Sequence, residues 1–336
     1  WMGQKLISFT GEIHQSNTPN TSTIVGTVDV APDQFVLSLN SDQSFVDILN
    51  GRWKLPPNNR ITYTPAGFQF VNVRLENQQQ QVGIEGEISK ILGKVALISI
   101  DQFDLKTLQP IIKEKITGIV NGKISLLNTY AQPQILSNIF VSSLANDGYL
   151  IGNLAASSRY ESNLDKLLLF ASIENAGKDI LLVNGTFDAQ NEQDPLDLEG
   201  RLSGCQVSVF QPFVRDIFSK LEGNMNGQFT VQGTPKHPLF SGKVKITSGR
   251  MRIDALQSDL YFTDEIELRP DGFFAPASGF KVFDAPQNGN EAVISGGIIY
   301  PKKGPIKLDI HALLRDRDGF ALLKTTFKVK KVFLIT

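Results

Sequence analysis

The chain has 336 residues, 33 basic against 34 acidic, for a formal net charge of −1. That balance leaves no electrostatic footprint for nucleic acid. A single cysteine, Cys205, excludes an internal disulfide framework and a cysteine-rich zinc site. No run reaches the roughly 18–20 apolar residues of a membrane-spanning helix, and no basic-then-apolar signal segment opens the sequence.

Taken in chain order, period-two alternation dominates. Val71-Asn72-Val73-Arg74-Leu75 and Gln81-Val82-Gly83-Ile84-Glu85 are the early examples. Lys243-Val244-Lys245-Ile246 and Arg250-Met251-Arg252-Ile253 follow, then Leu260 with Phe262 and Ile266 with Leu268. Ile306, Leu308 and Ile310 alternate with Lys307 and Asp309, and Phe327 and Val329 with Lys328 and Lys330. Strands of this kind bury one face and solvate the other, as antiparallel sheets do. Turn chemistry separates them at Pro56-Pro57-Asn58-Asn59, Asn146-Asp147-Gly148, Asp271-Gly272 and Asn288-Gly289-Asn290. With strands of about ten residues, roughly 22 to 26 fit, and a continuous sheet of them would extend about 100 Å.

Two segments carry a helical period. Leu108, Ile111, Ile112 and Ile116 mark one over Leu108–Ile116, with Pro110 near its start and Gly118 beyond its end. Phe213, Val214, Ile217, Phe218 and Leu221 mark the other over Gln211–Leu221, with Pro212 in the first turn and Gly223 as the stop. That stripe reads as a packing face. The two segments also frame an internal repeat. Gln109-Pro110 precedes Gln211-Pro212 by 102 residues, while Gly118, Gly122 and Pro133 precede Gly223, Gly227 and Pro238 by 105. The approximate units are 101–200 and 203–300.

The polar chemistry offers no reaction centre. His14, His237 and His311 stand in unrelated contexts, without ligand spacing. Ser241, Ser248 and Ser295 lie outside any G-x-S-x-G elbow, and Ser203-Gly204-Cys205 has no nameable base. The glycines at 118, 122, 223, 227, 233 and 242 form no phosphate loop. Lys243, Lys245, Arg250 and Arg252 make a basic strip, read as a solvated outer face, with anionic headgroups as the lesser reading. No cofactor or metal is expected, and no enzyme activity. What remains is the recurrent apolar face. From the residues alone it fits either the core of a two-sheet sandwich or the inner wall of an open trough. Its expected lining is Val244, Ile246, Met251, Ile253, Leu260, Phe262, Leu308 and Ile310.

A family resemblance tilts that choice. Leu221-Glu222-Gly223 with Gly227 leads to Gly233-Thr234-Pro235 with Pro238 and Gly242. Phe283-Asp284, Gly289-Asn290-Glu291-Ala292 and Ser295-Gly296 come next in the same order. Together they resemble the C-terminal part of the translocation and assembly module (TamB) family, in its Bacteroidota form, within the AsmA-like superfamily of bridge proteins. Leu323-Lys324-Thr325-Thr326-Phe327 resembles a later Leu-Asn-Thr-Thr-Tyr motif, from which Lys324 and Phe327 depart. The likeness covers about 200 to 336 well and about 50 to 200 more weakly. Added to the two short helices read from the residues, it implies an all-β fold: an elongated, curved antiparallel sheet forming an open hydrophobic trough, a β-taco. It also implies a segment of a longer periplasmic protein whose inner-membrane anchor and C-terminal end lie outside this sequence. The groove would carry phospholipid acyl chains between inner and outer membranes. The partners implied are phospholipid and a BamA-like outer-membrane barrel protein. The alternative is a chaperone-like module assisting outer-membrane protein assembly.

Overall fold

The computed structural model describes residues 5–14, 21–49, 51–112, 115–130, 133–214, 218–253, 258–287, 289–300 and 307–314. Strands make up 74% of the described residues and helical turns 4%, so the all-β expectation holds and the helices all but vanish. The 22 strands belong to one antiparallel sheet, where a sandwich would need two. The chain divides into two compact units, Trp1–Leu169 and Phe170–Thr336.

The first unit opens with β1 (Lys5–His14), β2 (Thr21–Ala31), β3 (Gln34–Leu39), β4 (Phe45–Ile48), β5 (Gly51–Lys54), β6 (Arg60–Thr64), β7 (Gly67–Asn77), β8 (Gln80–Ser89) and β9 (Val95–Asp104). A 3-10 turn at Leu105–Leu108 leads to β10 (Ile116–Leu127), β11 (Gln134–Asn146) and β12 (Tyr149–Glu161). β2 pairs with β3 and, further along, with β4, while β7 pairs with β6 and with β5. Two strand lines are therefore each broken once. Side chains occupy the breaks: Ser44 accepts from the Val25 N–H and donates to its carbonyl. Asn59 does the same for Leu39 and also donates to the Pro56 carbonyl. Both are buried, and each supplies bonds that a continuous strand would have made.

β13 (Lys166–Asn175) spans the boundary, and the second unit continues with β14 (Lys178–Phe187) and β15 (Leu196–Gln206). After a 3-10 turn at Val207–Phe210 and the short helix α1 (Gln211–Val214) come the two longest strands, β16 (Phe218–Thr234) and β17 (His237–Ile253). β18 (Ser258–Arg269), β19 (Gly272–Phe274), β20 (Phe280–Phe283), β21 (Glu291–Ile299) and β22 (Lys307–Leu314) complete it. β18 and β21 each pair with both β19 and β20, so these two short strands stand in for one broken strand.

The expected helix over Gln211–Leu221 is corrected to the single turn Gln211–Val214. Ile217 lies outside the described residues, and nothing is described of the side chains of Phe213, Val214 and Phe218. Phe218 and Leu221 belong to β16, paired with Ile253 and Met251. The helix over Leu108–Ile116 likewise gives way to the 3-10 turn, where Asp104 caps the Lys106 N–H at 2.9 Å, and Ile116 already pairs with Asn146. A helix of under about 12 residues is marginal without a face to bury. Extending the neighbouring strand wins because every added residue joins the ladder.

The two repeat segments share backbone irregularities at the same offsets. The 3-10 turns at Leu105–Leu108 and Val207–Phe210 are 102 residues apart. Gln102 (φ 49°) and Gly204 (φ 70°) both sit in the left-handed region, and each N–H donates to an asparagine on the next paired strand. The acceptors are Asn121 Oδ1 at 2.9 Å and Asn226 Oδ1 at 2.8 Å, themselves 105 apart. Register slips at Gly118 and Gly223, and Ser143 (φ 52°) and Ser248 (φ 51°) mark matching slips one strand later. Such bulges bend a strand and sharpen its twist.

Candidate functional site

Directly opposed residues in an antiparallel pair point to the same side of the sheet. The face can therefore be traced strand by strand. In the first unit Ile7 lies opposite Val28, Val28 opposite Leu37, and Leu37 opposite Ile61. The line continues through Phe70, Gly86 and Ala96 to Leu126 and Ile135. Nine strands contribute and no polar side chain interrupts. A parallel line two residues away runs Val30, Phe35, Tyr63, Phe68 and Ile88. Its rings touch in sequence: Phe35 and Tyr63 are 6.1 Å apart, Tyr63 and Phe68 5.0 Å, and Phe68 and Phe70 6.3 Å between centroids. Thr27, Ser38, Thr62, Gln69 and Glu87 point to the opposite side.

Most of this apolar face is only half covered. Ile7 is 46% exposed, Phe35, Tyr63 and Phe68 are comparably open, and Val28, Leu37, Ile61 and Phe70 are intermediate. At its β1–β3 end lies a cleft of about 430 Å³ bordered by Phe9, Val25, Gly26 and Leu39 among others. Sequence reasoning passed over these aromatics, although Phe68-Gln69-Phe70 and Phe35-Val36-Leu37 carry the alternation plainly. Alternation marks a face; it does not say whether anything covers it.

The expected lining residues sit differently. Val244, Ile246, Met251, Leu260 and Phe262 are buried together in one cluster of the second unit, against Ile180, Cys205, Met225, Phe280, Val282 and Ala292. Ile253 packs on the same cluster, and Leu260 is 1% exposed. The Phe262 and Phe280 rings meet at 5.2 Å. The protein's own side chains fill this face. Ile310, on β22, is 47% exposed and outside the cluster; Leu308 pairs with Ile298, with its side chain beyond what is described. Of the helix stripe, Leu221 packs against the cluster from β16.

The polar candidates are spread apart. His14, His237 and His311 are exposed on β1, β17 and β22, and no group of three metal-ligating side chains occurs among the described residues. Cys205 is buried, and burial alone pushes its thiol up to about 11, well away from a reactive thiolate. The basic strip is largely paired: Lys243 with Glu265 at 3.0 Å, Arg250 with Asp259 at 3.1 Å, and Arg252 with Asp259 at 3.5 Å. The hydrogen bond from Lys243 to Glu265 holds its ammonium above the ordinary value. Cations already paired in this way are poor recruits for a phosphate. No helix among the described residues is long and apolar enough to cross a membrane.

No family model, no curated protein and no solved structure matches this chain.

Proposed function

We propose that the apolar sheet face of the first unit holds acyl chains of phospholipid, as a segment of a periplasmic bridge protein of the TamB type. The observation that supports this reading most is the unbroken apolar line from Ile7 to Ile135, half open to its surroundings. Eight strand spacings make that line about 40 Å long. A bilayer's hydrocarbon core of about 30 Å holds two leaflets, so the line offers room for about two chains end to end. Each buried CH₂ is worth about 0.8 kcal/mol, and none of that needs a polar contact. Neighbouring positions along the line are chemically alike, which favours sliding over capture at one point. A BamA-like barrel would then act through the longer protein, and phospholipid would be the cargo.

The test is photocrosslinking of the chain with a phosphatidylethanolamine carrying a diazirine on its acyl chain. Adducts should fall on peptides containing Tyr63, Phe68 and Phe70, and unlabelled phospholipid should compete them away. Phe68→Asp should reduce them at least tenfold while the fold persists. Absence of adducts on this face, with tight binding of unfolded barrel-protein segments instead, would replace the reading with the chaperone-like alternative.

A further inference from the structure

The hairpin joining β8 to β9 is Lys90-Ile91-Leu92-Gly93-Lys94: two branched apolar residues at the tip, one cation on either side. Ile91 is 54% exposed and Leu92 68%, while the hairpin just before it, Gln78-Gln79 between β7 and β8, ends in amides on the opposite rim. The apolar tip is held in place. Gly93, at φ +82° where a side chain would be strained, donates its N–H to Asn128 Oδ1 at 2.8 Å in the adjacent β10–β11 connection. Lys90 N–H donates to the Ala66 carbonyl at 2.7 Å, and Ser89 Oγ donates to the same carbonyl at 3.2 Å. Three neighbouring connections are thus tied into one rim, and Tyr130 stands half exposed on it.

We infer that this rim docks on a lipid surface. The inference stands on the rim's own chemistry and goes beyond the acyl-chain reading. A standard protein interface buries about 800 Å² on each partner; here the apolar groups crown a narrow projection. A projection suits a fluid layer that closes around it, and interfacial segments bury such apolar tips at the boundary between headgroups and acyl chains. The flanking cations then sit at headgroup depth. Lys94 is 3.0 Å from Glu87, whereas Lys90 makes no ion pair among the described residues and is left to meet an anionic headgroup. Tyr130, with an apolar ring and a polar tip, is of the type that gathers at that interface. The rim also borders the apolar face directly: Phe68 and Ile88, its last pair there, lie within two residues of Gly67 and Ser89.

The experiment uses the whole chain with phosphatidylcholine vesicles, with and without phosphatidylglycerol. With Cys205→Ala as background, Leu92→Cys carries an environment-sensitive nitrobenzoxadiazole. Its emission should rise and shift to the blue on adding vesicles, and doxyl groups on the acyl chains should quench it. Ile91→Asp with Leu92→Asp should weaken vesicle co-sedimentation at least tenfold. Lys90→Ala should weaken it several-fold only when phosphatidylglycerol is present, and Gln79→Asp on the opposite rim should leave it unchanged. A probe that stays in water, or co-sedimentation indifferent to the double substitution, overturns the inference. So does concentration-dependent self-association that the double substitution abolishes without any vesicle binding, which would give the rim to a second copy. Crosslinking at Tyr63 and Phe68 reads the acyl-chain proposal separately, so either can fail while the other stands.

Discussion

The two units use the same alternating strands and reach opposite outcomes on their apolar faces. Among the described residues, Trp53, Leu55, Ala96, Val120, Val141 and Ala145 are the buried hydrophobics before residue 170, six against fourteen after it. Large apolar side chains left exposed run the other way, seventeen before and six after. Matched positions show where the difference arises. Val120 and Met225, 105 residues apart, are both buried, as are Val141 and Ile246. Beyond those shared anchors the second unit adds Phe262, Phe280, Val282 and Ala292, and its face fills. The broken strand of β19 and β20 supplies two of the four. In the first unit Trp53 is buried and stacks on Phe103 at 6.1 Å, but Phe35, Tyr63 and Phe68 stay half in solvent. A repeated strand pattern therefore sets the face, and what later strands contribute decides whether it closes.

Charge placed on each face is the most severe way to break that comparison. Ile246→Asp puts a carboxylate into a filled cluster at a cost of several kcal/mol, and the second unit should lose its cooperative transition. Phe68→Asp has solvent at hand and should cost under about 1 kcal/mol. Urea unfolding followed by circular dichroism reads both. Equal destabilisation would mean that the two faces are equally closed, and the contrast between the units would go with it.

Much of this was legible beforehand. Period-two runs such as Lys243–Ile246 and Val71–Leu75 announced an all-β chain, and the estimate of 22 to 26 strands stands beside 22 among the described residues. Two things were not. The stripe of Phe213, Val214, Ile217, Phe218 and Leu221 fits a helical period, yet Phe218 and Leu221 went into β16, because a 17-residue ladder with β17 outweighs two helical turns. How far each face is covered was not legible either, since buried Leu260 and half-covered Phe70 carry the same local pattern. Their difference depends on contacts across many strands, which no window of residues contains.

A medium effect sharpens the comparison at the backbone. Gln102 and Gly204 hold the same bulge position, and their N–H groups are satisfied alike by Asn121 and Asn226. Only glycine takes a positive φ without strain. A Cβ at Gly204 would have no atom within 4 Å, so packing does not enter. Gln102→Gly should stabilise the first unit by about 0.5 kcal/mol, after the loss of the exposed bond from Gln102 Nε2 to Asn121 Oδ1. Gly204→Gln should destabilise the second by about 1 kcal/mol. Thermal melts of the two variants decide it. A gain at Gly204 would show that the two bulges are not equivalent.

The smallest effect in free energy is the most local. Cys205 is buried in the filled cluster, and its thiol titrates near 11 where an unfolded chain's would titrate at 9.0. The native state thus keeps a proton that the unfolded state gives up, so stability falls as pH rises from 9 toward 11 and is unaffected below that window. At neutral pH a thiol reagent should modify Cys205 at least a hundredfold more slowly in buffer than in concentrated urea, because both access and thiolate are denied. A cysteine in place of Phe70, on the open face of the first unit and in the Cys205→Ala background, should react at close to the unfolded rate. Slow reaction there would show that the first unit's face is shielded after all. Fast reaction at Cys205 would show that the second unit's cluster opens readily.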